Sequence, residues 1–262
     1  MVDVSAAPVL ALRGVSKRFG AVQALTEVDL EVHAGEVVAL VGDNGAGKST
    51  LVKTIAGVHA VDDGTVEWRG RPVRIEKPHD AQDLGIATVY QDLALCDNLD
   101  VVGNLFLGRE LRRSGVLDEI EMERRSHELL TTLAIRIPSV RIPVASLSGG
   151  QRQTVAIARS LLGEPRLVIL DEPTAALGVE QTAQVLDLVE RLRERGLAII
   201  LISHNMADVQ AVADRVAVLR LGRNNGVFEI GAASREDIVA AITGATDNAV
   251  TRRAARGEEA VR

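Results

Sequence analysis

The chain has very little of several residue types on which whole classes of protein depend. Its one cysteine, Cys96, cannot form a disulfide within the chain, so we expect a reducing compartment. Aromatic residues make up 2% of the sequence, with one tryptophan, one tyrosine and three phenylalanines. Because base-stacking platforms are built from aromatic rings, this scarcity argues against a single-stranded nucleic acid as partner. The core must therefore be aliphatic.

Long apolar runs and an excess of basic charge are also missing. The longest apolar run, Leu197 to Ile202, is far shorter than the roughly 20 residues that a membrane-spanning helix needs. Thirty basic against thirty-six acidic residues give a net charge of −6, which argues against a duplex-binding surface. The first residues, MVDVSAAP, carry an aspartate where a secretory signal has basic residues. We therefore expect a cytoplasmic protein with no nucleic acid partner and no membrane span of its own.

The 262 residues, 47% of them hydrophobic, predict one compact unit or one unit with a small insert. The apolar run Val37–Val41 leads into a glycine-rich stretch, and apolar residues then recur at helical spacing from Leu51. Leu167–Leu170 and Leu197–Ile202 predict two further buried strands, joined by an amphipathic helix around Val185–Leu192. A strand, a helix and a strand in this order predict a right-handed parallel crossover, and hence an α/β fold.

The first third of the chain has a different pattern. Ala11–Arg18, Val28–Val32 and Thr65–Arg69 alternate only partly and predict an antiparallel β subdomain. Near the end, Asn224-Asn225-Gly226 is a signal for a hairpin turn. Together with the parallel strands, these segments predict a mixed sheet.

Two regions are expected to lie outside this sheet. The stretch from about Asp92 to Val144 lacks strong strand runs and has Asp118 and Glu121 in a capping-box pattern at one helix start, so we expect an inserted helical subdomain over about residues 92–160. Residues 246–262 have almost no apolar content and predict a disordered tail.

The glycine-rich stretch after the first strand matches the pattern G-x-x-x-x-G-K-[ST], between a strand and a helix as the pattern requires. In such a loop, backbone amides and a helix N-terminus surround phosphate oxygens, the lysine neutralises the β and γ phosphates, and the serine hydroxyl binds Mg²⁺. The alternative is a glycine-rich turn with a surface lysine. The candidate nucleotide-binding residues are Gly42, Asp43, Asn44, Gly45, Ala46, Gly47, Lys48, Ser49 and Thr50.

Two acids follow the predicted strand Leu167–Leu170. Asp171 and Glu172 are expected at the carboxyl edge of the sheet, where α/β folds bind their ligands. Asp171 suits the coordination of Mg²⁺, and Glu172 suits the activation of the attacking water. The alternative is a pair of solvated acids in a turn before Pro173.

A second helix start carries a serine and two glycines. The sequence Leu147-Ser148-Gly149-Gly150-Gln151 precedes a helix with a regular apolar face. A hydroxyl and free amides at a helix N-terminus suit an anion. An ordinary N-cap explains the same residues equally well.

Together these motifs resemble the ATP-binding cassette ATPases. The sequence LSGGQ lies between the phosphate loop and LVILDEPT, Gln91 follows IATVY, and His204 follows IILIS. The resemblance runs from about Val9 to Gly244 and implies one ATPase domain over residues 1–245, with a P-loop NTPase (RecA-like) core. In that family two cassettes face head to tail, and each ATP lies between the phosphate loop of one and the LSGGQ of the other. Ser148, Gly149, Gly150 and Gln151 would then contact the partner's nucleotide.

The resemblance also implies roles for single residues. Phe19 would stack on adenine, Gln91 would join Mg²⁺ to a membrane partner, and His204 would contact the γ-phosphate. The proposed catalytic residues are then Glu172, His204 and Gln91, and the proposed metal ligands are Ser49, Gln91 and Asp171. For Phe19 the alternative is a core residue at the end of a strand, and for His204 it is a satisfied buried histidine.

One position departs from the family pattern. The loop after DEPT usually ends in an aspartate that contacts the opposite subunit, and here Gly178 stands in its place. This change puts that single contact in doubt and leaves the hydrolytic residues intact.

In detail, GDNGAGKST, DEPTAALGV, ISHNM and RLGR are similar to the ATPases that import ribose, xylose or fructose. Many ATPases of this group are two fused cassettes, whereas this chain has one phosphate loop, so the resemblance implies a homodimer. It would lie on the cytoplasmic side of the membrane, bound to permease subunits and served indirectly by a sugar-binding protein. A cassette ATPase of DNA repair or translation, not tied to transport, is the alternative; it would need a basic surface, a coiled-coil insert or a second cassette. A regulatory cassette without turnover is a third reading, which the complete hydrolytic set disfavours.

Overall fold

The computed structural model describes residues 7–245. Its strands are β1 (Leu10–Phe19), β2 (Val22–Val32), β3 (Val37–Val41), β4 (Asp63–Trp68), β5 (Arg71–Val73), β6 (Ile86–Val89), β7 (Arg112–Arg113), β8 (Val116–Leu117), β9 (Leu167–Asp171), β10 (Ala198–Ile202), β11 (Arg215–Arg220) and β12 (Arg223–Glu229). Its α-helices are α1 (Lys48–Ile55), α2 (Pro78–Leu84), α3 (Val101–Phe106), α4 (Glu119–Thr132), α5 (Gly149–Leu161), α6 (Val179–Glu194), α7 (Met206–Val212) and α8 (Arg235–Thr243).

The central sheet has six strands in the order β12-β11-β3-β10-β9-β6. The pairs from β11 to β6 are parallel, and β12 pairs antiparallel with β11. Every residue of β3 and β10 is buried, as expected for strands covered on both faces. The predicted mixed α/β sheet and the parallel step from β9 through α6 to β10 are confirmed.

Two hydrophobic clusters lie on opposite faces of β3. Val37, Ala39 and Val41 belong to one cluster, and Val38 and Leu40 belong to the other. They alternate because successive side chains of a strand point to opposite faces. The first cluster contains apolar residues of α3 to α8, and the second contains those of α1 and of the smaller sheet.

The smaller sheet is antiparallel, with the order β2-β1-β4-β5. In it, Leu10 pairs with Val32 of β2 and with Trp68 of β4. The antiparallel subdomain predicted from the first third of the chain is therefore present.

Helices α3, α4 and α5 lie between β6 and β9, in the interval where a helical insert was predicted. Asp118 caps α4 as expected, because its side chain accepts a hydrogen bond from the amide of Glu121 (3.1 Å). The small antiparallel pair β7 and β8 precedes α4 and was not predicted.

The hairpin near the end of the chain exists, but its turn was predicted at the wrong place. Leu221 and Gly222 make the turn between β11 and β12, and Asn224-Asn225-Gly226 lies inside β12. A register shift opposite these residues indicates a bulge. The turn lies at Leu221 and Gly222 instead, because the amide of Gly222 donates to the carbonyl of Ala46 (3.0 Å), in the phosphate loop.

The predicted tail, 246–262, lies outside the described residues. Between residues 7 and 245, no helix combines the length and the apolar character that crossing a bilayer would require.

Candidate nucleotide-binding and hydrolytic site

The phosphate loop between β3 and α1 needs its glycines for two physical reasons. Gly42 and Gly47 have φ values of 150° and 105°, which other residues rarely adopt. A Cβ on Gly42 would lie 2.2 Å from the carbonyl oxygen of Leu219, and one on Gly47 would lie 2.9 Å from Cδ2 of Leu25. Both positions therefore require glycine, and the loop is packed tightly against β11 and β2.

The polar groups of this loop suit an anion. Within the described part of the chain, the amides of Asn44, Gly45 and Gly47 have no hydrogen-bond acceptor. Those of Lys48 and Ser49 belong to the first turn of α1, where a helix has no internal acceptor to offer. The Nζ of Lys48 donates to the carbonyl oxygens of Gly42 (2.6 Å) and Asp43 (3.0 Å). A cation and a set of free donors are thus gathered at one helix N-terminus.

Asp171 ends β9 at the same edge of the sheet. Burial raises the pKa of its carboxyl group, the negative charge of Glu172 raises it further, and the charge of Lys48 opposes both. Burial also raises the pKa of Tyr90, and the charge of Asp171 adds to that shift. Because this carboxyl group is costly to ionise here, a nearby cation would stabilise its charged form.

Glu172 and His204 are in direct contact. Nδ1 of His204 lies 2.8 Å from Oε2 of Glu172, and the side chain of His204 is 75% exposed. This exposure contradicts the alternative of a satisfied buried histidine. Glu172 has a left-handed backbone with φ of 50°, and its amide donates to the carbonyl of Ile202 (2.9 Å), at the end of β10.

Phe19 lies at the end of β1 and is 42% exposed, so the alternative of a core residue is wrong. Its ring makes an edge contact with His59, with centroids 4.9 Å apart, and Nζ of Lys17 lies 5.6 Å from its centroid. The sequence did not indicate either neighbour, because His59 is distant from Phe19 along the chain and Lys17 belongs to no motif. The exposed ring is available for stacking on a planar ligand.

The LSGGQ residues form the N-terminus of α5. The Ser148 hydroxyl accepts from the amide of Gln151 (3.3 Å), and the Gln151 side chain accepts in return from the Ser148 amide (3.0 Å). The ordinary N-cap is therefore present, while Ser148 and Gly149 remain exposed. In the described chain, no hydrogen bond joins these residues to the phosphate loop of the same molecule.

Gly150 reveals a packing partner that the sequence did not indicate. A Cβ there would lie 2.9 Å from Cβ of Gln181, on α6. A Cβ on Gly149 would lie 3.1 Å from Cδ2 of Leu177. The two glycines thus allow the start of α5 to lie against the segment that follows DEPT.

Gln91 follows β6 and is exposed. Beside it, Tyr90 and Asp92 line a cavity of about 710 Å³ that reaches Leu107 and Arg159 of the helical region. Residues of β6 and of α5 both line this cavity. The structure therefore places an open groove next to Gln91.

The residues present fit a nucleotide and a divalent cation. Free amides and Lys48 match a polyphosphate, and the half-buried carboxyl group of Asp171 matches a cation. Within residues 7–245 no three His, Cys, Asp or Glu side chains form a metal-binding cluster. A cation here would thus depend on few protein oxygens, from Asp171, Ser49 and Gln91, together with phosphate oxygens and water, which is how Mg²⁺ is typically held with nucleotides.

A phosphate loop at the end of a central parallel strand, with two acids at the end of β9 in the same sheet, defines a P-loop nucleotide-binding protein. The family model described as ABC transporter matches residues 25–175. The chain belongs to the ABC transporter family, as the sequence predicted, and it is an ATPase of that family.

Two relatives extend this match over most of the chain. The fructose import ATP-binding protein FrcA of Rhizobium meliloti is 44% identical over 92% of this chain and 95% of its own length. The xylose/arabinose import ATP-binding protein XylG of Sulfolobus acidocaldarius is 47% identical over 82% of this chain and 85% of its own.

A similar solved structure is a dimeric ATP-binding cassette in a post-hydrolysis state, bound to ADP and Pi. It is 25% identical, covers 84% of this chain and 98% of its own, and has a TM-score of 0.70. The fold is therefore that of an ATP-binding cassette.

Proposed function

We propose that this chain binds and hydrolyses ATP as the energy-coupling subunit of an importer of a monosaccharide, acting with a separate membrane permease. The observation that carries the proposal is the Glu172–His204 pair at the sheet edge that also carries the phosphate loop. The names of the two relatives, both sugar import ATP-binding proteins, support the choice of substrate class. They give no support to a cassette ATPase unconnected with transport.

In the proposed mechanism the phosphate loop, from Gly42 to Thr50, holds the triphosphate through its amides and Lys48. Ser49, Asp171 and Gln91 would hold Mg²⁺, which when bound neutralises charge on the β and γ phosphates. Glu172 polarises or deprotonates the attacking water. His204, held through Nδ1 by Glu172, presents its second ring nitrogen to the γ-phosphate.

Two copies of the chain would complete each site. Ser148, Gly149, Gly150 and Gln151 of one copy face the nucleotide held by the other, because within one molecule they make no hydrogen bond to the phosphate loop. The dimeric cassette among the similar structures supports this arrangement. The interface is built around nucleotide, so ATP is expected to drive dimer formation.

The permease would bind at the cavity beside Gln91. This cavity lies between the sheet and the helical region over 92–160, which we regard as a subdomain within a single domain of 1–245. A short helix of the permease is a suitable occupant for a groove of about 710 Å³. The chain would then be a peripheral protein on the cytoplasmic face of the membrane, and a sugar-binding protein would act only through the permease.

The test is uptake of labelled fructose, xylose and ribose by cells in which the native copy is replaced by Lys48→Ala or Glu172→Gln. We expect uptake of one of these sugars to be lost with either variant. Unchanged uptake of all three, with hydrolysis by the purified parent chain intact, would support an ATPase not tied to import of these sugars.

The dimer is tested by sedimentation of Glu172→Gln with and without ATP·Mg²⁺. A monomer that dimerises on addition of ATP supports the shared site. A tight dimer without nucleotide would contradict it.

A further inference from the structure

Asp208 is a buried carboxylate that the proposed mechanism does not use. It lies in the first turn of α7 and is 5% exposed. Its Oδ2 accepts a hydrogen bond from the Thr174 hydroxyl (2.6 Å), and its Oδ1 accepts one from Nδ2 of Asn205 (2.9 Å). Among the described residues no cation lies within ion-pair distance, so two neutral donors satisfy this carboxylate.

The two donors belong to the two loops that carry the hydrolytic pair. Thr174 lies in the turn after β9, where the amide of Ala175 donates to the carbonyl of Glu172 (3.1 Å). Asn205 follows His204 directly, and its side chain caps α7 by accepting from the Ala207 amide (3.0 Å). Asp208 therefore bonds to the residue two positions after Glu172 and to the residue directly after His204.

A further link between the loops matters because the sheet holds the backbone of Glu172, through Ile202, but gives no such support to the facing side chain of His204. Glu172 has a left-handed backbone, which persists only where surrounding contacts determine it. His204 has a 75% exposed side chain with little packing around it. A contact of 2.8 Å between them depends on the relative position of the two loops.

We propose that Asp208 and Thr174 are positioning residues that hold the Glu172 turn and the His204 loop in register, so that the two side chains meet. This inference rests on the proposed hydrolytic roles of Glu172 and His204. Neither Asp208 nor Thr174 belongs to the residues proposed to hold the nucleotide, so the link acts on turnover through the pair and leaves nucleotide affinity unchanged.

The test compares Thr174→Val with Thr174→Ser in the full chain. Valine keeps the shape of threonine and removes the hydroxyl, while serine keeps the hydroxyl. The acceptor of this bond is a carboxylate, and loss of a hydrogen bond to a charged group typically corresponds to about a tenfold to 150-fold change. We expect kcat for ATP hydrolysis to fall by that factor in Thr174→Val, with the Kd for ATP unchanged, and to return to within about twofold of the parent in Thr174→Ser.

Asp208→Asn is the second variant. The amide oxygen can accept from Asn205, and the amide nitrogen can donate to the Thr174 hydroxyl, which also acts as an acceptor. Both bonds survive, so we expect activity near that of the parent. Thr243→Val, which removes an exposed hydroxyl on α8, is the matched control.

A double-mutant cycle with His204→Ala separates positioning from general stability. If Thr174 acts through the pair, its replacement by valine has no further effect once His204 is gone. An equal fold-loss in both backgrounds, or no loss in the parent background, overturns the inference. If His204→Ala alone leaves kcat unchanged, the proposed role of His204 fails and this inference fails with it. If kcat falls with His204→Ala but not with Thr174→Val, only this inference is refuted.

Discussion

His204 and Glu172 meet at the carboxyl edge of the central sheet, with Nδ1 of the imidazole 2.8 Å from Oε2 of the carboxylate. The two residues follow adjacent parallel strands, β10 and β9, so the sheet itself brings them together. The contact leaves the second imidazole nitrogen available to a ligand. It also orients the carboxylate of Glu172, which is 16% exposed and next to the half-buried acid Asp171.

Glu172→Gln is expected to stop hydrolysis while preserving nucleotide binding. Glutamine keeps the size and one accepting oxygen of the side chain but cannot take a proton from water. A positioned acid–base group typically contributes about 10²–10⁴-fold, or about 3–5 kcal/mol of barrier. Single-turnover hydrolysis should slow by this order, and titration should give an ATP affinity equal to or slightly above that of the parent.

Lys48→Ala is the control for this variant, because it should fail at the earlier step. It removes the cation that now donates to two loop carbonyls, and with it a charge-assisted contact to phosphate. We expect weaker nucleotide binding. If Glu172→Gln instead hydrolyses ATP within a few-fold of the parent, another group positions the water, and His204 is the next candidate.

Gln91→Ala is expected to reduce transport more than it reduces nucleotide binding. Gln91 is exposed beside the cavity that Tyr90 and Asp92 line, and no hydrogen bond fixes its side chain within the described residues. Sugar uptake should therefore fall by a larger factor than ATP affinity. Parallel measurements of uptake and nucleotide binding decide the matter, since equal losses in both would mean that Gln91 only binds nucleotide.

Asp171→Asn should make the nucleotide-free chain more stable near neutral pH. The folded state raises the pKa of Asp171 above its ordinary value of 3.8, chiefly through burial. Ionisation of Asp171 therefore lowers the free energy of unfolding as the pH rises through that raised pKa. Below the pKa of the unfolded chain, this loss of stability is absent. The melting temperature of Asp171→Asn should exceed that of the parent at pH 7, and the difference should shrink as the pH approaches 4.

Asp62→Asn provides a control of opposite sign. Hydrogen bonds from Lys17 and from the Arg18 amide lower the pKa of the Asp62 carboxyl group. Its ionised form stabilises the fold above the unfolded pKa, so replacement should lower the melting temperature at pH 7 and matter less in acid. A gain for Asp171→Asn that is the same at every pH would contradict the electrostatic explanation.

The sequence predicted those features that depend on contiguous residues. The strand β3, the phosphate loop and α1 follow from one stretch, in which an apolar run, required glycines and helical spacing come in order. The turn between β11 and β12 could not be predicted in this way. Gly222 is held there by Ala46 and Thr26, which are distant in sequence, and this contact overrides the local signal of Asn224-Asn225-Gly226.

The same reason explains what was missed at the site. Motifs indicated Glu172 and His204 separately, and strand order then brought them together. The link from Thr174 to Asp208 has no spacing that sequence could show, because its two ends lie on different sheet connections. Likewise, the tight approach of Gln181 to Gly150 follows from helix packing between α5 and α6.

Gly178→Asp is expected to stabilise the chain and to strengthen its ATP-dependent dimer. Gly178 is the N-cap of α6, has an extended backbone with φ of −73°, and has open space where a Cβ would be added. A carboxylate there would cap the helix and interact with its dipole, worth about 0.3–1 kcal/mol, or about 1–4 °C in melting temperature. Gly178→Asn is the matched control, because asparagine caps the helix without adding charge. The resemblance implies that an aspartate here contacts the opposite subunit. Dimer formation is measured by sedimentation with ATP, with both variants made in the Glu172→Gln background. Only Gly178→Asp should then form the ATP-dependent dimer at a lower protein concentration. An equal shift with asparagine would assign the effect to capping alone, and no shift with either would remove the missing carboxylate as a factor in dimer formation.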